Sequence, residues 1–234
     1  MKYIILICVR EGSKGLPGKN IKPLNGIPLI GWTINIAKQI NRASRIIVST
    51  DSEEIAKLAL DYGAEAPFMR PKELAQDNSP EWKSWRHALH YLQKNEGELP
   101  HAMVSIPATA PLRLSLDIEN CLNMFSKGDC DAVITMTEGH RSPWYNMVKI
   151  EGDGSIGLLM PTNGNFFRRQ DTPSIYDVTT VAYVLDPAFV LTKTSLFQGR
   201  VKAVEIPVER AIDIDTMFDF DIAEFLMKRR LRGK

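Results

Sequence analysis

Tyr3 to Val9 form an unbroken apolar run rich in β-branched residues, closed by Arg10 and Glu11. Such a run suits a central parallel strand covered on both faces. From Pro28 to Ile40 the period changes, with Leu29, Ile30, Ile34, Ile36, Ala37 and Ile40 falling mostly at helical spacing, and Arg45 to Ser49 then predicts a second buried strand. Strand, loop, helix, strand is a βαβ unit, and the alternation continues. Ser52 to Tyr62 reads as a helix capped by Ser52, with Glu54 in its first turn and Gly63 as its stop; a short strand over Ala66–Met69 follows. Pro80–Lys94 reads as a helix, and strands over Ala102–Ile106 and Ala132–Thr137 flank a helix over Ser115–Phe125. After Glu138 the helical period weakens, and the Gly, Pro, Asn and aromatic residues between His140 and Tyr176 predict an inserted β-rich arm over 139–176. The alternation resumes with strands over Val178–Leu185 and Val201–Ile206. A final helix carries an apolar stripe of Phe218, Ile222, Phe225 and Leu226. The expected fold is α/β with a mostly parallel sheet, its core built from 1–138 and 177–234.

Composition narrows the function classes. With 44% hydrophobic and 24% charged residues over 234 positions, the chain is of the ordinary globular type, not collagen-like or low-complexity. Twenty-nine Lys+Arg against 28 Asp+Glu leave a net charge of +1, without the basic excess that wrapping duplex nucleic acid requires. Any anion is therefore expected to be small and held locally. Cys8, Cys121 and Cys130 show no C-x-x-C spacing, so neither a disulfide framework nor a zinc site is expected, and a reducing, cytoplasmic setting fits. No apolar run approaches the ~20 residues of a membrane span. The four histidines, His87, His90, His101 and His140, have no metal-ligand spacing.

Two constellations carry candidate chemistry. The segment Arg10-Glu11-Gly12-Ser13-Lys14-Gly15-Leu16-Pro17-Gly18-Lys19-Asn20 begins just past the first strand, where open α/β sheets place ligands. Its glycines let backbone N–H groups approach phosphate oxygens, and Arg10, Lys14 and Lys19 can neutralise a polyphosphate. It is neither a Walker A loop, which needs Gly where Pro17 stands, nor a G-x-G-x-x-G turn; a plain Gly- and Lys-rich surface turn is the alternative. In Asp213-Ile214-Asp215, alternate residues of an extended segment face one side, so two carboxylates can meet one Mg²⁺ while Ile214 points inward. The alternative is that Asp215 merely caps the last helix. Arg70, after a short strand, is placed to reach a base or phosphate, and the loop Ala108–Arg113 opens on the same rim.

Arg10 to Asn20, read as R-x-x-S-K-G-L-P-x-K-N, together with Ser49-Thr50-Asp51, Arg70-Pro71-x-Glu73-Leu74-Ala75-x-Asp77, Thr109-x-Pro111-Leu112-Arg113 and Asp213-Ile214-Asp215-Thr216, resembles the acylneuraminate cytidylyltransferase family, the CMP-sialic acid synthetases. The five motifs keep the family's order over nearly the whole chain. The resemblance implies a Rossmann-like nucleotidyltransferase fold, a homodimer whose arm reaches the partner's active site, and dependence on Mg²⁺. It also implies a reaction in which CTP and a 3-deoxy-2-keto sugar acid give the CMP-sugar and pyrophosphate. Arg10, Ser13, Lys14, Lys19 and Asn20 would hold the nucleotide, with Lys19 acting as pyrophosphate leaves; Arg70 would lie near the cytidine, Asp213 and Asp215 would bind metal, and Arg169 and Tyr183 would lie near the sugar. Arg169 is the expected partner of the sugar carboxylate. Where the family has Arg-Pro-Asn-Gly this chain has Asp177-Val178-Thr179-Thr180, and Pro107 replaces the Gln that opens Q-P-T-S-P-L-R. Asp177, Thr179 and Pro107 are therefore expected to shift the sugar from N-acetylneuraminate toward an octulosonate or a deoxy or diamino nonulosonate. No residue stands out as a general base. A nucleotidyltransferase for another sugar or base, and a non-catalytic nucleotide-binding regulatory module, are the rival readings.

Overall fold

Strand β1 (Tyr3–Cys8) shows how the chain builds two layers at once. Its odd residues Tyr3, Ile5 and Ile7 face one side and its even residues Ile4 and Leu6 the other, as the two-residue period of a strand requires. The odd face meets α1 (Leu29–Ala37), α2 (Glu53–Asp61) and α4 (Ser115–Phe125); the even face meets α3 (Glu81–Glu96) and the short α5 (Pro187–Thr192). A computed structural model describes residues 2–161 and 166–233.

The remaining strands are β2 (Pro23–Leu24) and β3 (Ile27–Pro28), which pair as a small hairpin, β4 (Ala43–Ser49), β5 (Ala102–Ser105), β6 (Ala132–Glu138), β7 (Val148–Ile150), β8 (Ile156–Leu158), β9 (Tyr176–Leu185) and β10 (Val201–Glu205). Among the described residues the main sheet has six strands in the order β10-β6-β9-β5-β1-β4. Five run parallel and β9 alone runs antiparallel, between β5 and β6. The α/β, Rossmann-like architecture with a mostly parallel sheet is thus present. Helix α6 (Met217–Arg232) closes the molecule.

Local chemistry explains most boundaries. The Ser52 hydroxyl accepts from the Ile55 amide at the start of α2, and Gly63 ends that helix at a φ of +87°. The strand expected over Ala66–Met69 does not form. Pro67 has no amide to donate, and only single bridges, Ile47 with Glu65 and Thr50 with Met69, join this stretch to β4. The segment 139–176 contains an antiparallel hairpin, β7 with β8, whose tip carries Gly154 at a φ of +85°.

The stripe expected on the last helix is only partly turned inward: Leu226 packs against the core and Ile222 is half-buried. Phe220, Ala223 and Met227 are buried, whereas Phe218 and Phe225 are 73% and 65% exposed. The phase is set at the helix start, where Thr216 and Asp219 form a capping box just after the buried Ile214.

Candidate active site

The loop after β1, the loop after β5 and the segment before α6 meet at the carboxyl edge of the parallel strands. Apolar contact fixes them first: Leu16 and Ile214 lie in one buried cluster with Leu24, Leu29 and Leu112. Backbone and side-chain bonds then set the register. The Ile214 amide donates to the Thr109 carbonyl at 2.9 Å, and Lys19 Nζ donates to the Ile214 carbonyl at 2.7 Å and to Asp215 Oδ1 at 2.8 Å. Gly15 is required by close approach, because a Cβ there would lie 2.3 Å from the Asp215 carbonyl oxygen. Within the loop, Asn20 Nδ2 donates to the Arg10 carbonyl at 2.9 Å, so this buried amide braces the turn it belongs to.

Two adjoining clefts open on this edge. One, of about 220 Å³, runs between Arg70, Ser79, Glu81, Pro107 and Thr109. The other, of about 350 Å³, lies between Gly12, Ser13, Lys14, Gly15 and Asp215. Arg10, Lys19, Asn20 and Asp77 line both. Asp77 gathers the cations: Arg10 Nη2 is 2.8 Å from its Oδ1 and Lys14 Nζ 2.7 Å from its Oδ2. Lys14 and Arg10 hold the Asp77 carboxyl below the usual carboxylate range. An incoming polyphosphate would meet these same cations.

In the Asp213–Asp215 segment Ile214 turns inward as alternation predicts, and the two carboxylates stand in different surroundings. Ile214 is fully buried between them, and Thr216, not Asp215, caps α6. The Asp215 side chain is 72% exposed and faces Lys19, whereas Asp213 Oδ1 is buried without a hydrogen-bond partner. Among the described residues no cluster of three or more His, Cys, Asp or Glu surrounds a point, so a cation here would rest on these carboxylates and its ligand's oxygens.

Arg70 is buried, donating from Nη2 to the Val9 carbonyl at 2.7 Å and from Nη1 to Ser84 Oγ at 3.2 Å, with Asp51 at 3.7 Å. It shapes the wall of the smaller cleft and ties the end of β1 to α3. Arg113, wholly buried, donates to Thr33 Oγ1 and to the carbonyls of Pro107 and Thr180, and burial lowers its pKa to about 9. It fixes the Pro107 loop from beneath. Tyr183 stacks obliquely on Trp85 at 5.7 Å between ring centroids; burial and the carboxylates of Glu81 and Asp213 push its phenol up to about 12.

Glu81 is the residue that pattern reading missed. It is the first residue of α3, where an acidic side chain needs no function to be favoured. The fold places it in the smaller cleft: Ser105 Oγ donates to its Oε1 at 3.4 Å, and Trp85 Nε1 donates to Ser105 Oγ at 3.1 Å. Burial raises its carboxyl to about 6, against the lowering effects of Trp85, Ser105 and Arg70.

Of the residues expected to read the sugar, Tyr183 and Pro107 lie with this group, whereas Arg169 does not. Arg169 donates from Nη1 to the Gly139 carbonyl at 2.8 Å and lies 3.6 Å from Glu138. It lines a separate cleft of about 220 Å³ with Glu138, Gln170, Tyr176 and Glu205. Thr179 is buried and donates its hydroxyl to Thr135 Oγ1 at 2.7 Å, inside the sheet, so it cannot read a sugar as expected. Asp177 is exposed on β9, and Pro107 lines the cleft beside Arg70.

The family model for cytidylyltransferases matches residues 4–229. The chain belongs to the cytidylyltransferase family. Within it, the chain is 35% identical over 229 residues to post-translational flagellin modification protein B of Campylobacter coli, covering 98% of this chain and 96% of that one. It is 34% identical over 226 residues to the CMP-N,N′-diacetyllegionaminic acid synthase of Campylobacter jejuni, covering 97% and 95%. Among solved structures, CMP:2-keto-3-deoxy-manno-octonic acid synthetase complexed with CTP aligns over 98% of this chain and all of that one, with a TM-score of 0.72 at 17% identity. The fold and the acylneuraminate-type membership of this cytidylyltransferase therefore agree with the five motifs.

Proposed function

We propose that this cytidylyltransferase joins CMP from CTP to the anomeric C2 hydroxyl of a 3-deoxy-2-keto sugar acid, releasing pyrophosphate. The observation that carries the reading is the convergence of the Arg10–Asn20 loop, the Arg70 cleft and the Asp213–Asp215 pair on one edge of the sheet. The nucleoside occupies the smaller cleft against Arg70, and the triphosphate lies along Arg10, Ser13, Lys14 and Lys19, drawing the cations from Asp77. The hydroxyl attacks the α-phosphorus in line as pyrophosphate leaves, so positioning and charge stabilisation carry the catalysis. Lys19, anchored by the Ile214 carbonyl and Asp215, is held where charge grows on the leaving group.

Mg²⁺ fits the residues present. Asp213 brings a buried oxygen without a partner and Asp215 an exposed carboxylate, both hard donors to be completed by phosphate oxygens. Bound there, the ion would neutralise phosphate charge.

The sugar is read as a nine-carbon diamino acid, supported by the identity to the legionaminic acid synthase along almost the full length of both chains. The protein acts as a homodimer. Within one chain Arg169 faces a different cleft from the nucleotide, and the hairpin beside it exposes Ile150 and Ile156 at 78% and 68%. An arm that completes the partner's site accounts for both. No helix among the described residues is long and apolar enough to cross a membrane, and the absence of disulfide-type cysteine spacing supports a cytoplasmic enzyme.

Pyrophosphate release from CTP and Mg²⁺ tests the reading across N-acetylneuraminate, an octulosonate and N,N′-diacetyllegionaminate. We expect the highest kcat/KM with the diamino acid. Preference for N-acetylneuraminate would refute the sugar, and activity only with neutral sugar phosphates would refute the reaction.

A further inference from the structure

A carboxylate partly withdrawn from water, without a cation against it, is costly unless a ligand donates to it. Glu81 is in that position. One oxygen receives the Ser105 hydroxyl, itself held by the Trp85 indole, so the carboxylate is fixed in the smaller cleft. Arg70, the cation that shares this cleft, commits its Nη atoms to Val9, Ser84 and Asp51. Two further lining residues keep buried polar atoms without a hydrogen-bond partner, Arg70 Nε and the Ser79 hydroxyl.

We infer that Glu81 selects the base of the nucleotide, accepting a hydrogen bond from the exocyclic amino group of cytosine and rejecting uracil. This rests on the proposed use of CTP in the Arg70 cleft. The chemistry matches at the level of hydrogen-bonding type. The pairing edge of cytosine offers two acceptors, O2 and N3, and one donor, the N4 amino group. The cleft offers the Glu81 carboxylate as an acceptor for that donor. Carboxylates are the usual acceptors for the cytosine amino group. Uracil replaces that donor with the O4 oxygen, which would face the Glu81 carboxylate without a proton between them.

Ribose hydroxyls are also donors, and the test separates the two. Dissociation constants for CTP, UTP and 2′-deoxy-CTP are measured by calorimetry on the wild-type chain and on Glu81→Gln, whose amide nitrogen can donate to O4. We expect the wild type to favour CTP over UTP, and Glu81→Gln to lower that preference at least about tenfold, while the ratio of CTP to deoxy-CTP stays constant. Ser105→Ala, which frees the carboxylate without removing it, should lower the preference by a smaller factor; it serves alone if Glu81→Gln does not fold. An unchanged CTP-to-UTP ratio in the variants overturns the inference and leaves the cytidylyl-transfer reading intact. A change confined to the deoxy-CTP ratio also overturns it, by assigning Glu81 to the ribose. A wild-type chain that binds neither CTP nor UTP overturns the reading on which the inference rests, and the inference with it.

Discussion

At the scale of single residues, Glu81 links stability to function through its proton. Its carboxyl is raised to about 6 by burial, above the 4.5 of a free glutamate, so the folded chain holds this proton more tightly than the unfolded chain. The stability it contributes is complete below about pH 4.5 and lost as pH rises through about 6; at neutral pH the ionised group costs on the order of 1–2 kcal/mol. Glu81→Gln keeps the shape and the Ser105 contact without the charge. Urea unfolding should show it more stable than wild type by about that amount at pH 7 and by much less at pH 4. A stability difference independent of pH would remove the burial argument. Sequence alone could not show this residue, because its setting comes from Ser105 on β5, which only the fold brings to it, whereas a glutamate opening a helix is ordinary. Arg10, Lys14, Lys19 and the Asp213–Asp215 pair were legible, since alternation and glycine spacing are local properties.

Secondary-structure elements were read well wherever one period ran unbroken, as in β1 and α4, and badly where something interrupted the phase. In β9 the ladder to β6 shifts register after Ile134, so that Thr135 faces Thr179 while Tyr183 pairs with Ile134. Simple alternation cannot say which way Thr179 points across such a shift, and its hydroxyl turns into the sheet. In α6 two apolar stripes compete, and only the capping box and Ile214 decide which is buried. The loop after β1 supplies a prediction at this scale. Gly12 and Gly15 look alike in sequence, yet a Cβ on Gly12 meets nothing within 4 Å whereas one on Gly15 collides with the Asp215 backbone. Gly15→Ala should therefore separate the loop from the Asp213–Asp215 segment and weaken CTP at least about tenfold, or ~1.4 kcal/mol. Gly12→Ala should bind CTP as wild type does. Equal affinities in the two variants, with folding checked by circular dichroism, would show that this approach does not organise the site.

For the whole molecule, two apolar surfaces compete as the face of the proposed homodimer. One is the hairpin with Val148, Ile150 and Ile156, and the other is the outer side of α6 with Phe218 and Phe225. The hairpin is favoured because Arg169 lies on its segment. Ile150→Glu should shift sedimentation to the monomer and abolish turnover, whereas Phe225→Glu should leave the dimer intact; the opposite result would move the interface to α6. The antiparallel strand β9 has a different consequence, for how the chain comes off the ribosome. Both β5 and β6 hydrogen-bond to β9, so a growing chain that ends before residue 176 holds β4, β1 and β5 with the edge of β5 unpaired, and β6 with neither neighbour in place. Those edges invite pairing between nascent chains, and the long separation of β9 from β5 makes closure slow. Synthesis of residues 176–185 is thus the moment at which β6 joins the rest of the sheet, and a pause in translation just before it is where aggregation should be worst.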